Sequence, residues 1–129
     1  MKKQGVINRE IAAVLARLGH TDRIAIADCG LPVPDHVPCI DLSIRIGSPS
    51  FDEVVTEILN DMAVEKIILA EEIKSKNEKV YSFLQETGLP ADFTSHDLLK
   101  KELNKVKAII RTGEATPYAN VILQSNVIF

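Results

Sequence analysis

The chain has no tryptophan and only two cysteines, Cys29 and Cys39, among its 129 residues. Two thiols make no disulfide framework, and without CxxC spacing they read as small packed side chains rather than a redox pair. Long apolar runs are also missing. The longest are four to six residues, against roughly 20 for a membrane-spanning helix. No apolar signal region follows Met1-Lys2-Lys3-Gln4-Gly5, so the expected location is the cytoplasm. Positive charge is not in excess: 15 Lys and Arg stand against 18 Asp and Glu, a net charge of -3 that offers no field for a nucleic-acid backbone. Neither GxGxxG nor GxxxxGK(S/T) occurs, and the isolated Gly30 and Gly113 argue against a nucleotide cofactor. His20, Cys29, His36, Cys39 and His96 show no zinc-finger or HExxH spacing, so no metal site is expected.

What is present is an ordinary globular composition, 46% hydrophobic and 26% charged, of a length that suits one domain over residues 1–129. Asn8 is a good N-cap for a helix whose apolar residues Ile11, Val14, Leu15 and Leu18 recur at three- and four-residue steps. A strand is predicted at about Ile24 to Asp28, and a second over Cys39 to Ile44. Ser50-Phe51-Asp52-Glu53 is a capping box opening a helix to about Met62, and Lys66 to Ala70 reads as a strand covered on both faces. Ser75-Lys76-Asn77-Glu78 repeats the capping-box pattern before a helix closed by Gly88 and Pro90. A short strand near Asp92 to Thr94 then leads to a Ser95-capped helix with Leu98, Leu99 and Leu103 inward. Strands over Lys107 to Arg111 and Val121 to Leu123 complete the chain. The alternation predicts an α/β fold, a largely parallel sheet with helices on both faces in Rossmann-like layers. Lysines 74, 76 and 79 among Glu71, Glu72 and Glu78 read as a solvated face.

Few residues are placed for chemistry. Asp28 ends the first strand before Cys29-Gly30-Leu31-Pro32; it either caps a turn or presents a carboxylate where α/β proteins meet their ligands. His20, flanked by Gly19 and Thr21, carries an imidazole able to give and take protons near neutral pH. His36 lies in a proline-bounded loop and is expected to be exposed. His96, in the first turn of its helix, is either a surface residue or a partner for a sugar hydroxyl. Tyr118-Ala119-Asn120 offers an apolar ring with a hydroxyl and an amide with donors and an acceptor, a set that suits a polyol or a plain packed loop.

Several segments occur together: Lys2-Lys3 with Gly5 and Asn8, Gly19-His20-Thr21-Asp22, Ala27-Asp28, Gly30-Leu31-Pro32-Val33-Pro34, Ile40-Asp41-Leu42, Ser95-His96, and Arg111-Thr112-Gly113-Glu114-Ala115-Thr116-Pro117-Tyr118-Ala119-Asn120. The combination resembles the ribose pyranase and fucose mutarotase family over the whole chain, and the loop after Asp28 is similar to the ribose branch. Gln4, where the family often has His, and Cys29, where a smaller residue is common, depart from the pattern. The resemblance implies a cofactor-free isomerase that interconverts the β-pyranose and β-furanose forms of D-ribose on the route of imported ribose to its kinase. It also implies a cytoplasmic homo-oligomer, typically a ring-shaped decamer. By motif, His20 is the proton donor, and Asp28, His96, Tyr118, Ala119 and Asn120 bind the sugar. A rival of another class is a non-catalytic sugar-binding or sugar-sensing subunit. His20 precedes the first strand and Asp28 ends it, so an extended segment would hold them on the order of 25 Å apart. Unless the Gly19 to Asp22 loop folds back, the expected site lies between subunits.

Overall fold

Alternating side chains in the central strands sort the core into two layers, and the computed structural model, which describes residues 1–129, shows how. In chain order the elements are α1 (Arg9–Arg17), β1 (Arg23–Ala27), β2 (Cys39–Asp41), α2 (Phe51–Asp61), β3 (Val64–Ala70), α3 (Ile73–Lys76), α4 (Glu78–Glu86), β4 (Ala91–Thr94), α5 (His96–Glu102), a 3-10 turn (Leu103–Lys105), β5 (Ile109–Arg111) and β6 (Val121–Ser125). Ile24 and Ile26 of β1, Ile67 and Leu69 of β3 and Val121 and Leu123 of β6 face one layer with α1, α2 and α4. Ala25 and Ala27, Ile68 and Ala70, and Ile122 face the other, against Leu99 and Leu103. This period of two is what a strand imposes. The alanines keep the second layer thin, so α5 and the loop residues Leu31 and Val37 pack close to the sheet.

The six strands lie in the order β2-β5-β1-β6-β3-β4. β1 pairs parallel with β5, β2 with β5, and β3 with β4. β6 alone runs against its neighbours β1 and β3. Its reversal follows from the connection: residues 112–120 contain no helix that could carry the chain back to start a parallel strand. The expected largely parallel sheet, with helices on both faces, is therefore the observed one with a single antiparallel strand near its centre.

Three local expectations need correction. β2 stops at Asp41 rather than Ile44, because the Asp41 carboxylate accepts from the Ser43 backbone N–H at 2.9 Å and its hydroxyl at 2.5 Å, which turns the chain. Those bonds, then the Arg111 guanidinium, hold the Asp41 carboxyl below the usual range. The second capping box is displaced: Asn77, not Ser75, caps α4, and the preceding turn, α3, is separate. Leu98 points outward with 51% of its surface exposed, since α5 turns only Leu99 and the following Leu103 to the sheet. Asn8, Ser50 and Ser95 cap α1, α2 and α5 as their residue types predict.

Candidate active site

The parallel strands end together, so Asp28 after β1, Thr112 after β5, Glu71 after β3 and Ser95 after β4 share one edge of the sheet. The reversed β6 brings its first residues to that same edge, because Val121 pairs with Ile26 and Asn120 comes level with the end of β1. Asp28 and Asn120 consequently meet head to head. Asn120 Nδ2 donates to Asp28 Oδ2 at 2.8 Å, and the Asp28 backbone N–H donates to Asn120 Oδ1 at 2.9 Å. Asp28 Oδ1 accepts from the Gly30 N–H at 2.9 Å. Asn120 is buried, 1% exposed, while Asp28 is half-buried. Two bonds to its oxygens and one from its backbone N–H thus fix a carboxylate that still has lone pairs for hydroxyl donors. The turn-cap reading of Asp28 holds, with Oδ1 on the Gly30 N–H.

The turn after Asp28 is braced from behind. Arg111 donates to the Cys29 carbonyl from Nε at 3.1 Å and from Nη2 at 2.7 Å, and its Nη1 reaches Asp41 at 2.9 Å and Ser43 Oγ at 2.5 Å. The Cys29 N–H donates to the Glu114 carbonyl, and both the backbone N–H and the hydroxyl of Thr112 donate to the Ala27 carbonyl. Gly113 lies so close to the 45–48 turn that a Cβ there would fall 2.5 Å from the Ser48 carbonyl oxygen. Only glycine allows that approach.

Residues 116–120 carry the second half of the site. Tyr118 has φ +58, a conformation that disfavours any residue with a Cβ and costs about 1–3 kcal/mol, so it persists only where its surroundings enforce it. Its ring meets the His96 ring edge-on, with centroids 5.0 Å apart and an interplanar angle of 84°. His96 is the first residue of α5, and its backbone N–H donates to the Glu72 carboxylate at 3.0 and 3.2 Å. His96 Nδ1 is buried with no protein partner. Ala119 is buried between the two halves, and the Asn120 N–H donates to the Tyr118 carbonyl at 2.8 Å. The structure therefore brings together Asp28, His96, Tyr118, Ala119 and Asn120.

It does not bring His20 to them. The 19–22 turn is tied to the opposite edge: Asp22 accepts from the Gly19 N–H at 2.9 Å, the Thr21 N–H donates to the Ser125 carbonyl, and the Ser125 N–H donates to the Asp22 carbonyl. The Gly19 bond holds the Asp22 carboxyl below its ordinary range against the opposing effect of burial, with Lys107 adding to it. The loop does not fold back over the sheet. His20 instead stands half exposed at the amino edge, with Nε2 3.9 Å from the Glu65 carboxylate. His36 is exposed as expected, its Nε2 3.0 Å from the Asn104 carbonyl. No group of three or more His, Cys, Asp or Glu side chains is arranged to hold a metal ion, and no helix is long and apolar enough to cross a membrane.

Arg111, Glu72 and Asn77 are the supporting residues that spacing alone missed. Arg111 reads as a strand end, Glu72 as a solvated charge, and their contacts cross 82 and 24 residues of sequence.

The chain is 58% identical to the D-ribose pyranase of Halalkalibacterium halodurans and 55% identical to that of Shouchella clausii, in each case over 129 residues and the whole of both chains. Among solved structures it is similar to Bacillus subtilis RbsD complexed with D-ribose, with a TM-score of 0.98, 49% identity and full coverage of both chains. The fold alone is shared with a fucose mutarotase from Streptococcus pneumoniae, with a TM-score of 0.81, 21% identity and 95% coverage of each chain. Residues 1–128 match the RbsD / FucU transport protein family, and with the sheet edge built as described the chain belongs to that family.

Proposed function

We propose that the chain is a D-ribose pyranase, an isomerase that interconverts the β-pyranose and β-furanose forms of D-ribose. The observation that carries this reading is the carboxylate of Asp28, clamped on buried Asn120 beside the His96–Tyr118 pair, in a chain whose full-length relatives carry that activity. A furanose or pyranose presents a ring of hydroxyls and one apolar face. Asp28 accepts from hydroxyls, the His96 imidazole donates or accepts, and the Tyr118 ring covers a C–H face while its hydroxyl reaches a polar edge.

The chemistry needs two proton transfers in each direction. Ring opening puts a proton on the ring oxygen O5 and removes one from the anomeric hydroxyl O1, leaving an aldehyde at C1. Closure through O4 forms the O4–C1 bond, removes the O4 proton and returns one to O1. In this reading His20 supplies the proton to the departing ring oxygen and recovers it on closure, while Asp28 orients the anomeric hydroxyl or a water that takes its proton. General acid–base catalysis of this kind contributes about 10² to 10⁴ in rate.

His20 and Asp28 stand at opposite edges of the sheet in one chain, on the order of 25 Å apart along an extended segment. The site is accordingly completed between copies: the exposed His20 of one protomer reaches the carboxyl edge of another. Closed rings satisfy this requirement for every protomer, and a cytoplasmic homodecamer acting in ribose use is the assembly and setting assigned here.

Exchange NMR with catalytic amounts of protein tests the function. Magnetisation should pass between pyranose and furanose signals of D-ribose faster than in buffer. A protein that only broadens the signals in proportion to its concentration is a sugar-binding subunit, and the proposal fails.

A further inference from the structure

Asn77 lies outside the set of residues assigned to the sugar, yet it is a buried polar side chain, 8% exposed, whose amide hydrogens both go to the loop that carries that set. Its Nδ2 donates to Thr116 Oγ1 and to the Pro117 carbonyl, each at 2.8 Å, across about 40 residues of sequence. Its Oδ1 accepts from the Val80 N–H at 3.3 Å and so caps α4. Thr116 Oγ1 in turn donates to Glu114 Oε1 at 3.0 Å, and Glu114 Oε2 accepts from the Phe51 N–H at 3.2 Å at the start of α2. The Pro117 carbonyl belongs to the peptide that enters Tyr118, the residue at φ +58. Fixing that carbonyl fixes the peptide plane about which Tyr118 turns, and with it the ring on His96 and the approach of Asn120 to Asp28.

We propose that Asn77 is a positioning residue for ribose recognition: by tethering the Thr116–Pro117 backbone to the amino end of α4 it holds Tyr118 in its left-handed conformation and presets the Tyr118–Asn120 face of the sugar site. The inference rests on the assignment of this site to ribose. It gives Asn77 two separable duties, because the acceptor serves the helix and the donors serve the loop.

The variant Asn77→Asp separates them. A carboxylate caps a helix as well as an amide does and suits the helix amino end electrostatically, but it has no hydrogens to offer the Pro117 carbonyl. The urea midpoint should fall, because a carboxylate oxygen then faces the Pro117 carbonyl with no hydrogen between them, so the binding and exchange readouts are taken well below the onset of unfolding. KM and Kd for D-ribose should rise about tenfold, the equivalent of losing one to two hydrogen bonds' worth of preorganisation, with kcat changed far less. Amide exchange at Ala119 and Asn120 should quicken, a readout that needs no sugar. Thr116→Val, on the exposed part of the loop, should weaken ribose binding in the same direction, and Thr116→Ser should restore it. If Asn77→Asp does not fold, the Thr116 pair decides. Wild-type Kd in both Asn77→Asp and Thr116→Val overturns the inference, as does unaltered exchange at Ala119 and Asn120 in a folded Asn77→Asp protein. Wild-type protein that neither binds nor interconverts ribose overturns the ribose assignment instead, while the amide-exchange result still judges the tether.

Discussion

Exchanging the two partners of the Asp28–Asn120 pair separates what the pair does for folding from what it does for sugar. In Asp28→Asn the new amide hydrogens face Asn120 Nδ2, which now donates to Asp28 Oδ2 at 2.8 Å. Turned over, the new amide accepts from Asn120 Nδ2 again but sets its hydrogens against the Gly30 N–H, an exposed group left to water. Flipping Asn120 does not help, because its Oδ1 already accepts from the backbone N–H of residue 28 at 2.9 Å. The charge-assisted bond to Asn120 becomes a neutral one and the Gly30 bond is given up to water, which together cost about 1–2 kcal/mol. In the double variant Asp28→Asn with Asn120→Asp, both bonds can form again: one carboxylate oxygen takes the backbone N–H and the other takes the new amide. The charge has then moved from a half-buried position to one that is 1% exposed. Urea denaturation should show the single variant destabilised by about that amount and the double variant most of the way back toward wild type. With Asp28 in its proposed role, ribose interconversion by exchange NMR should be lost in both, because position 28 no longer carries a carboxylate. A double variant that regains activity along with stability would refute the role given to Asp28, and an undiminished single variant would refute the energetic account of the pair.

Gly113→Ala forces a Cβ to within 2.6 Å of the Arg45 carbonyl oxygen and the Ser48 backbone nitrogen; a loss of about 1–3 kcal/mol is expected in denaturant, and an unmoved midpoint would contradict the close approach. Asp22 has a folded pKa held below its unfolded value of about 3.9, so its contribution is present above that value and is lost as pH falls through the folded pKa. Asp22→Asn should therefore be less stable than wild type at pH 6, with the gap closing under acid; a gap that persists unchanged at pH 2 counts against it. Asp52 runs the other way: burial, then the neighbouring Glu114 carboxylate, raises its pKa, so its ionisation costs stability above about pH 4. Asp52→Asn should gain thermal stability at pH 7 and match wild type below pH 3. His20→Ala should bind D-ribose with near wild-type affinity in calorimetry while ring exchange falls to the buffer rate.

Much of this architecture was legible in local chemistry. Asn8, Ser50 and Ser95 are strong cap formers standing directly before apolar residues at helical spacing, and the runs Ile24 to Ala27 and Ile67 to Ala70 are strands whatever surrounds them. Asp28, His96 and Tyr118 to Asn120 were legible as polar groups at element ends, and their convergence follows once the strands are aligned. What was not legible depends on direction and distance in space. Nothing in Val121 to Ser125 states that the strand runs backwards, yet that reversal is what delivers Asn120 to Asp28. Asn77 and Ser75 are both cap formers, and Asn77, which caps α4, is also bonded to Thr116 and Pro117, 39 and 40 residues away. Arg111 is one cation among 15, distinguished only by the Cys29 carbonyl it meets. Leu98 faces outward because it lies one residue, about 100° around the helix, from Leu99, whereas Leu99 and Leu103 stand four apart and share the inward stripe.

Complementation between two inactive chains tests the shared site most directly. His20→Ala and Asp28→Asn proteins, each without ring-exchange activity alone, are unfolded together, refolded at equal amounts and assayed on D-ribose by exchange NMR. Sites formed between copies should recover activity at about a quarter of them, where a chain with intact His20 meets a chain with intact Asp28. A mixture that folds and assembles like wild type yet stays at the buffer rate would place both groups of each site on one chain, and the account of the site would be wrong.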